Sequence, residues 1–118
     1  MVSSKSKEPK EKTIQGSIMR WLRKQEYVWC DCYHGSPMSQ AGVPDIQVIY
    51  DGRVLWLEVK RPSGKVTLIQ KTVHDKLRRA GSIVHVVRSL EEAQRAFSDF
   101  VLTIARDSGG GDEKCLKK

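Results

Sequence analysis

At 118 residues the chain has room for one domain with a real hydrophobic core and none for a second. Its 21 Lys and Arg outnumber 14 Asp and Glu, a net charge of +7, and three cysteines, an odd number, do not suggest a disulfide framework. No apolar run approaches the ~18 residues of a membrane span, and the opening "MVSSKSKEPKEK" lacks the apolar stretch of a signal peptide. A soluble, cytoplasmic protein is expected.

Residues 1–9 read as a flexible basic tail and residues 107–118, "DSGGGDEKCLKK", as a second one, leaving 10–106 as the folded domain. From Glu11 to about Lys24, Ile14, Ile18, Trp21 and Leu22 recur at helical spacing, with Glu11 on the edge of that face. "YVWCDCYH", Tyr27 to His34, alternates as a strand does. After a loop with Gly35, Pro37 and Gly42 come "DIQVIY" and "RVLWLEVK", joined by Asp51-Gly52, a strong hairpin signal. "RPSGK" breaks the pattern. "TLIQKTVHDKLRRAG" then places Ile69, Val73, Leu77 and Ala80 on one helical face, with Gly81 as its stop. "SIVHVV" reads as a short buried strand, and "SLEEAQRAFSDFVLTIA" opens a last helix with a capping box from Ser89 to Glu92. The order α-β-β-β-α-β-α predicts an α/β fold. The helix crossover makes the last two strands parallel, in a mixed, mainly four-stranded sheet flanked by helices.

Cys30, Cys32 and His34 share one strand face, and with Cys115 they could make up a four-ligand zinc site. The plainer reading is that the cysteines are small buried hydrophobes and Cys115 lies in a tail. His74 and His85 fall in helix and strand patterns and read as packing or surface residues. Between Lys60 and Ala80 stand seven basic residues (Lys60, Arg61, Lys65, Lys71, Lys76, Arg78, Arg79) and one acid, Asp75. Such a segment is either a solvated helix face or the footprint of a polyanionic partner.

The hairpin carries charge where strands should be apolar. A two-residue turn at Asp51-Gly52 pairs Tyr50 with Arg53, which sets Asp45 directly opposite Glu58 with Cβ atoms about 4.5–5.5 Å apart. Lys60, two residues beyond Glu58, falls on the same sheet face. Opposed carboxylates repel unless a positive charge lies between them. A hard divalent cation such as Mg²⁺ accepts one or two carboxylates and keeps sites for water and phosphate. The alternative is that Asp45 ends its strand in solvent and Glu58 and Lys60 are an exposed ladder pair.

Pro44-Asp45 followed by Glu58-Val59-Lys60 resembles the signature of the PD-(D/E)XK nuclease superfamily. The surrounding words "GVPDI", "LEVKRPSGKVTLIQ" and "LRRAGSIVHVVRSLEEA" more specifically resemble the VRR-NUC domain family, over roughly residues 11 to 96. The resemblance implies a restriction-endonuclease-like fold and a metal-dependent phosphodiesterase acting on DNA, using Mg²⁺ with Mn²⁺ as a substitute. Carried over by position, Asp45, Glu58 and the backbone carbonyl of Val59 would be metal ligands. Lys60 would orient or help deprotonate the attacking water. Glu11 matches an acidic position that approaches the metal in relatives, although a lone first-turn Glu is as readily a surface residue. Gln70 matches the glutamine of the following helix, and Thr67-x-x-Gln70 also reads as a capping box. Arg61, Lys65 and the N–H groups entering the helix at Thr67 suit a DNA phosphate, and Lys71 and Lys76 extend that basic surface.

Without a separate specificity domain, recognition of DNA shape is favoured over sequence. Stand-alone relatives of this size are similar to phage or bacterial proteins and to compact Holliday-junction resolvases. The specific expectation is therefore a homodimer resolving four-way junctions, inside a bacterial or phage-infected cell. Flap or nick cleavage, a restriction-type or tRNA-intron-type nuclease, and a non-catalytic DNA-binding subunit stay as alternatives. The dimer expectation draws on apolar residues in apparent excess of one face: Met19, Trp21, Trp29, Phe97, Phe100, Val101 and Leu102.

Overall fold

The computed structural model describes residues 7–33 and 40–116, with side chains through residue 107. Its elements follow the expected order: α1 (Glu11–Arg23), β1 (Val28–Cys32), β2 (Ile46–Tyr50), β3 (Arg53–Val59), α2 (Leu68–Arg79), β4 (Ile83–Val87) and α3 (Leu90–Leu116). The four strands make one sheet in the order β1-β2-β3-β4. β1, β2 and β3 are antiparallel neighbours, and the crossover through α2 brings β4 back parallel to β3. Asp51 (φ 53°) and Gly52 (φ 76°) are both left-handed. This conformation, tolerated by Asp and natural to Gly, gives a two-residue turn whose twist matches the strands. It fixes the register with Tyr50 opposite Arg53 and Ile46 opposite Leu57.

That register sorts the sheet into two unlike faces. Ile46, Val48, Leu55, Leu57, Val59 and Val87 point to one side and pack against Ile14, Ile18 and Leu22 of α1 and Ala93, Ala96, Phe100 and Ile104 of α3. Full burial of each large side chain here contributes about 1.5–3 kcal/mol. The core is thus built on a single face, and the residues of alternate parity are released from having to be apolar. Those are Asp45, Gln47, Trp56, Glu58 and Lys60. α2 lies over this second face. Among the described residues no helix is long and apolar enough to cross a membrane.

Three details differ from the sequence reading. The inward face of α2 is rotated. Ile69 is 59% exposed and Ala80 is exposed, while Val73 and His74 are buried, because α2 turns polar residues toward the second face. The backbone of α3 continues to Leu116, past the end of the apolar pattern at Ala105, and Arg53 pairs with Asp107 at 3.0 Å. Finally, Met19, Phe97 and Phe100 belong to the core and Trp21 packs partly against it, so the apolar excess shrinks to the exposed Trp29 and Leu102 with the neighbouring Val101.

Candidate metal and nucleic-acid site

The loop into β2 sets the first carboxylate. Gly42 has a φ of 89°, and a Cβ there would lie 2.9 Å from side-chain atoms of Ile69 and Val73 and from the Ile69 carbonyl. Only glycine lets this loop pass so close under α2. Pro44 is buried, and the Asp45 carbonyl accepts from the Tyr33 N–H at 2.7 Å. The Asp45 side chain accepts from the Val59 N–H at 2.8 Å. The carboxylate thus replaces the backbone partner that Val59 would otherwise need on that side.

Glu58 lies across from it, only 2% exposed in the central strand of the sheet. Both oxygens are held from α2. Gln70 Nε2 donates to Oε2 at 3.3 Å, and His74 Nε2 lies 3.0 Å from Oε1. Gln70 caps its helix and reaches Glu58 at the same time. Its Oε1 accepts from the Thr67 N–H at 2.9 Å and its N–H donates to the Thr67 hydroxyl at 3.1 Å, so the capping box orients the amide that reaches Glu58. His74 is a correction to the sequence reading. It is 2% exposed, as a packing residue would be, but its ring faces the site. It follows Gln70 by one helical turn on the same stripe, and extending the Gln70 argument by four residues would have found it.

Burial, then repulsion from the Asp45 carboxylate opposite, pushes the Glu58 carboxyl from an ordinary 4.5 up to about 8, with Lys60 opposing the rise. Burial and the nearby Arg78 charge lower His74. Both shifts oppose formation of an ion pair across the Glu58–His74 contact, despite its nominal charges.

Lys60 continues along the same face, 8% exposed, and its N–H donates to the Val87 carbonyl at 3.0 Å. Since Lys60 turns its backbone to β4, alternation turns the N–H and carbonyl of Val59 to the Asp45 side. The chain thereby gathers two carboxylates, a backbone carbonyl and a lysine at the end of β3. Glu11, exposed at the start of α1, is near enough for its charge to act on Glu58. Lys65, Lys71 and Lys76 are exposed. Lys71 lines a groove of about 320 Å³ with His74 and Arg78, and Lys76 does not line it. Arg61 is paired with Glu8 at 3.3 Å.

The donor set suits a hard divalent ion. Two carboxylates forced together, one with its pKa driven far up, are relieved by a charge of +2 between them. Among the described residues no three His, Cys, Asp or Glu side chains converge on a common metal position. A closed cage of protein ligands is thus not formed, and Mg²⁺, which keeps several water or phosphate oxygens, fits two carboxylates and a carbonyl. Of the four residues of the zinc alternative, the described structure places the side chains of two. Cys30 and Cys32 are free thiols packed against the core at the sheet edge, and burial raises the Cys30 thiol pKa. His34 and the Cys115 side chain lie outside the described residues.

No protein-family model and no curated protein matches the sequence. Solved structures do match. A "VRR_NUC domain protein" superposes with a TM-score of 0.67 at 19% identity, over 78% of this chain and 88% of that one. A "VRR_NUC domain" superposes with a TM-score of 0.61 at 24% identity, over 75% of this chain and 94% of that one. The chain has the VRR_NUC fold. Its four-stranded mixed sheet with flanking helices is the restriction-endonuclease-like arrangement expected from the sequence.

Proposed function

We propose that the protein is a VRR-NUC nuclease, a Mg²⁺-dependent endonuclease that hydrolyses DNA phosphodiester bonds, with Mn²⁺ able to substitute. The observation that carries this reading is the opposition of Asp45 and Glu58 across β2 and β3, with Lys60 next on the same face. A divalent cation bound there lowers the pKa of a water and offsets charge on the phosphate. The chain's own residues do the rest. Asp45, fixed by the Val59 N–H, and Glu58, fixed by Gln70 and His74, would hold the ion. Lys60 places positive charge where the phosphate gains negative charge as water oxygen attacks phosphorus and the P–O bond breaks. A non-catalytic DNA-binding subunit is the second reading, but a chain that keeps both carboxylates and the lysine has the machinery such a subunit lacks.

Four-way junctions are the proposed substrate, cut symmetrically by a homodimer that uses the last helix, around the exposed Leu102 and the half-buried Val101, as contact. Flap or nick cleavage is the nearest rival. The test is a labelled panel of four-way junction, flap, nicked duplex, linear duplex and single strand, with Mg²⁺, Mn²⁺ or EDTA, beside light scattering. Paired cuts on the junction, quenched by EDTA, with a mass of twice 13.4 kDa, are expected. Cleavage undiminished by EDTA would overturn the metal reading. A monomer that still made paired cuts would overturn the dimer.

DNA affinity is expected to fall steeply with salt, because the basic surface releases condensed counterions. Reversing Lys71 and Lys76 to Glu, both exposed, should weaken all DNA forms alike and flatten the log–log salt slope by about 1 for each lysine that neutralises a phosphate. Fluorescence anisotropy across roughly 50–200 mM salt, the range over which phosphate-dominated binding ordinarily weakens, is the measurement. A flat profile would reduce these lysines to solvated surface.

A further inference from the structure

The turn after Lys60 is built to hold an anion, and one is already there. Glu8, just ahead of α1, reaches into it. Its Oε1 accepts from the Ser63 N–H at 3.1 Å, and its Oε2 accepts from the Ser63 hydroxyl and lies 3.3 Å from Arg61 Nε. A backbone N–H, a hydroxyl and a guanidinium converging on two oxygens of one anion are the donors that grip a phosphate. The turn does not depend on Glu8 for its shape. Gly64 N–H donates to the Arg61 carbonyl at 2.8 Å, closing the turn, and Arg88 Nη2 donates to the Gly64 carbonyl at 2.7 Å, bracing it from the end of β4.

We propose that the Arg61–Ser63 turn is a backbone-phosphate site and that Glu8 is its internal stand-in, displaced when a DNA strand enters. This deepens the nucleic-acid reading above and depends on it for the identity of the strand. The position fits, since the turn leaves the end of β3 directly after Lys60, on the same stretch of chain that carries Glu58 and Lys60. The exchange of one anion for another lets the site discriminate. A lone weak anion must compete with a tethered carboxylate, whereas a DNA strand held at neighbouring phosphates does not compete alone. A Glu8 that served only to pin the segment before α1 would behave oppositely, because its removal would loosen the fold and weaken binding.

The test compares Glu8→Ala, Arg61→Ala and the double variant for DNA binding in EDTA, together with the Ser63 amide resonance during titration with inorganic phosphate. Glu8→Ala is expected to bind DNA about 2- to 5-fold tighter, the scale of a partly exposed ion pair. The gain should vanish in the Arg61→Ala background. The Ser63 amide should shift with phosphate in Glu8→Ala and stay put in the double variant. Unchanged or weaker binding by Glu8→Ala, a gain that persists without Arg61, or an unmoved Ser63 amide each overturns the site. A phosphate-responsive Ser63 in a protein whose variants all fail to bind DNA would keep the phosphate site and remove the nucleic-acid reading.

Discussion

Asp45→Asn and Glu58→Gln are each expected to lower DNA cleavage by on the order of 10³-fold or more, with the fold intact and most DNA affinity retained. Both changes keep shape and remove one negative charge, so they test charge at the ion rather than packing. Asp45→Asn retains an oxygen for the Val59 N–H, and the side-chain amide introduced by Glu58→Gln retains groups for Gln70 and His74. Mg²⁺ should raise the melting temperature of the parent protein and leave both variants unmoved.

Glu58→Gln has a second expected signature, with the opposite sign. In the folded, metal-free chain the Glu58 carboxyl is pushed to about 8 against an ordinary 4.5, so the folded state holds the proton more tightly than the unfolded one. Stability from this group is complete below pH 4.5 and is lost as pH rises through about 8. The variant cannot ionise there. It should be more stable than the parent by at least about 1 kcal/mol near pH ~8.5 in EDTA, with the gain disappearing near pH ~4. Full activity in either variant would sink the metal clamp. A Glu58→Gln protein less stable than the parent at the alkaline end would show that the carboxylates are not in conflict.

Lys60→Ala is expected to lose about 10²- to 10³-fold in cleavage rate while keeping Mg²⁺ binding. Lys60 is 8% exposed and supplies charge rather than a ligand, and it opposes the upward shift of its neighbour Glu58. Its backbone bond to Val87 survives substitution, so the strand should hold. Single-turnover kinetics and calorimetric Mg²⁺ titration separate the two effects. If Mg²⁺ affinity disappeared with the rate, Lys60 would be organising the ion site rather than acting on the phosphate.

Much of this site is legible in the sequence because it is local. A two-residue Asp51-Gly52 turn and the side-chain period of two are enough to set Asp45 opposite Glu58 and Lys60 on their face, whatever the rest of the chain does. The helix and strand order follows equally from periodicity, and the parallel placement of β4 from the handedness of the crossover. Tertiary structure decides how separate elements meet. The rotation of α2 about its own axis does not follow from its apolar stripe, because Ile69 covers the Gly42 loop while His74 turns in to Glu58. That choice is set by the shape of the sheet face beneath α2, which no window of sequence contains. Glu8 and Ser63 lie 55 residues apart, so their meeting depends on α1 docking across the core. The apolar residues of α1 and α3 read as surplus until the single-faced core absorbs Met19, Phe97 and Phe100. Burial is a property of the assembled layers, and the sequence carries only the capacity for it.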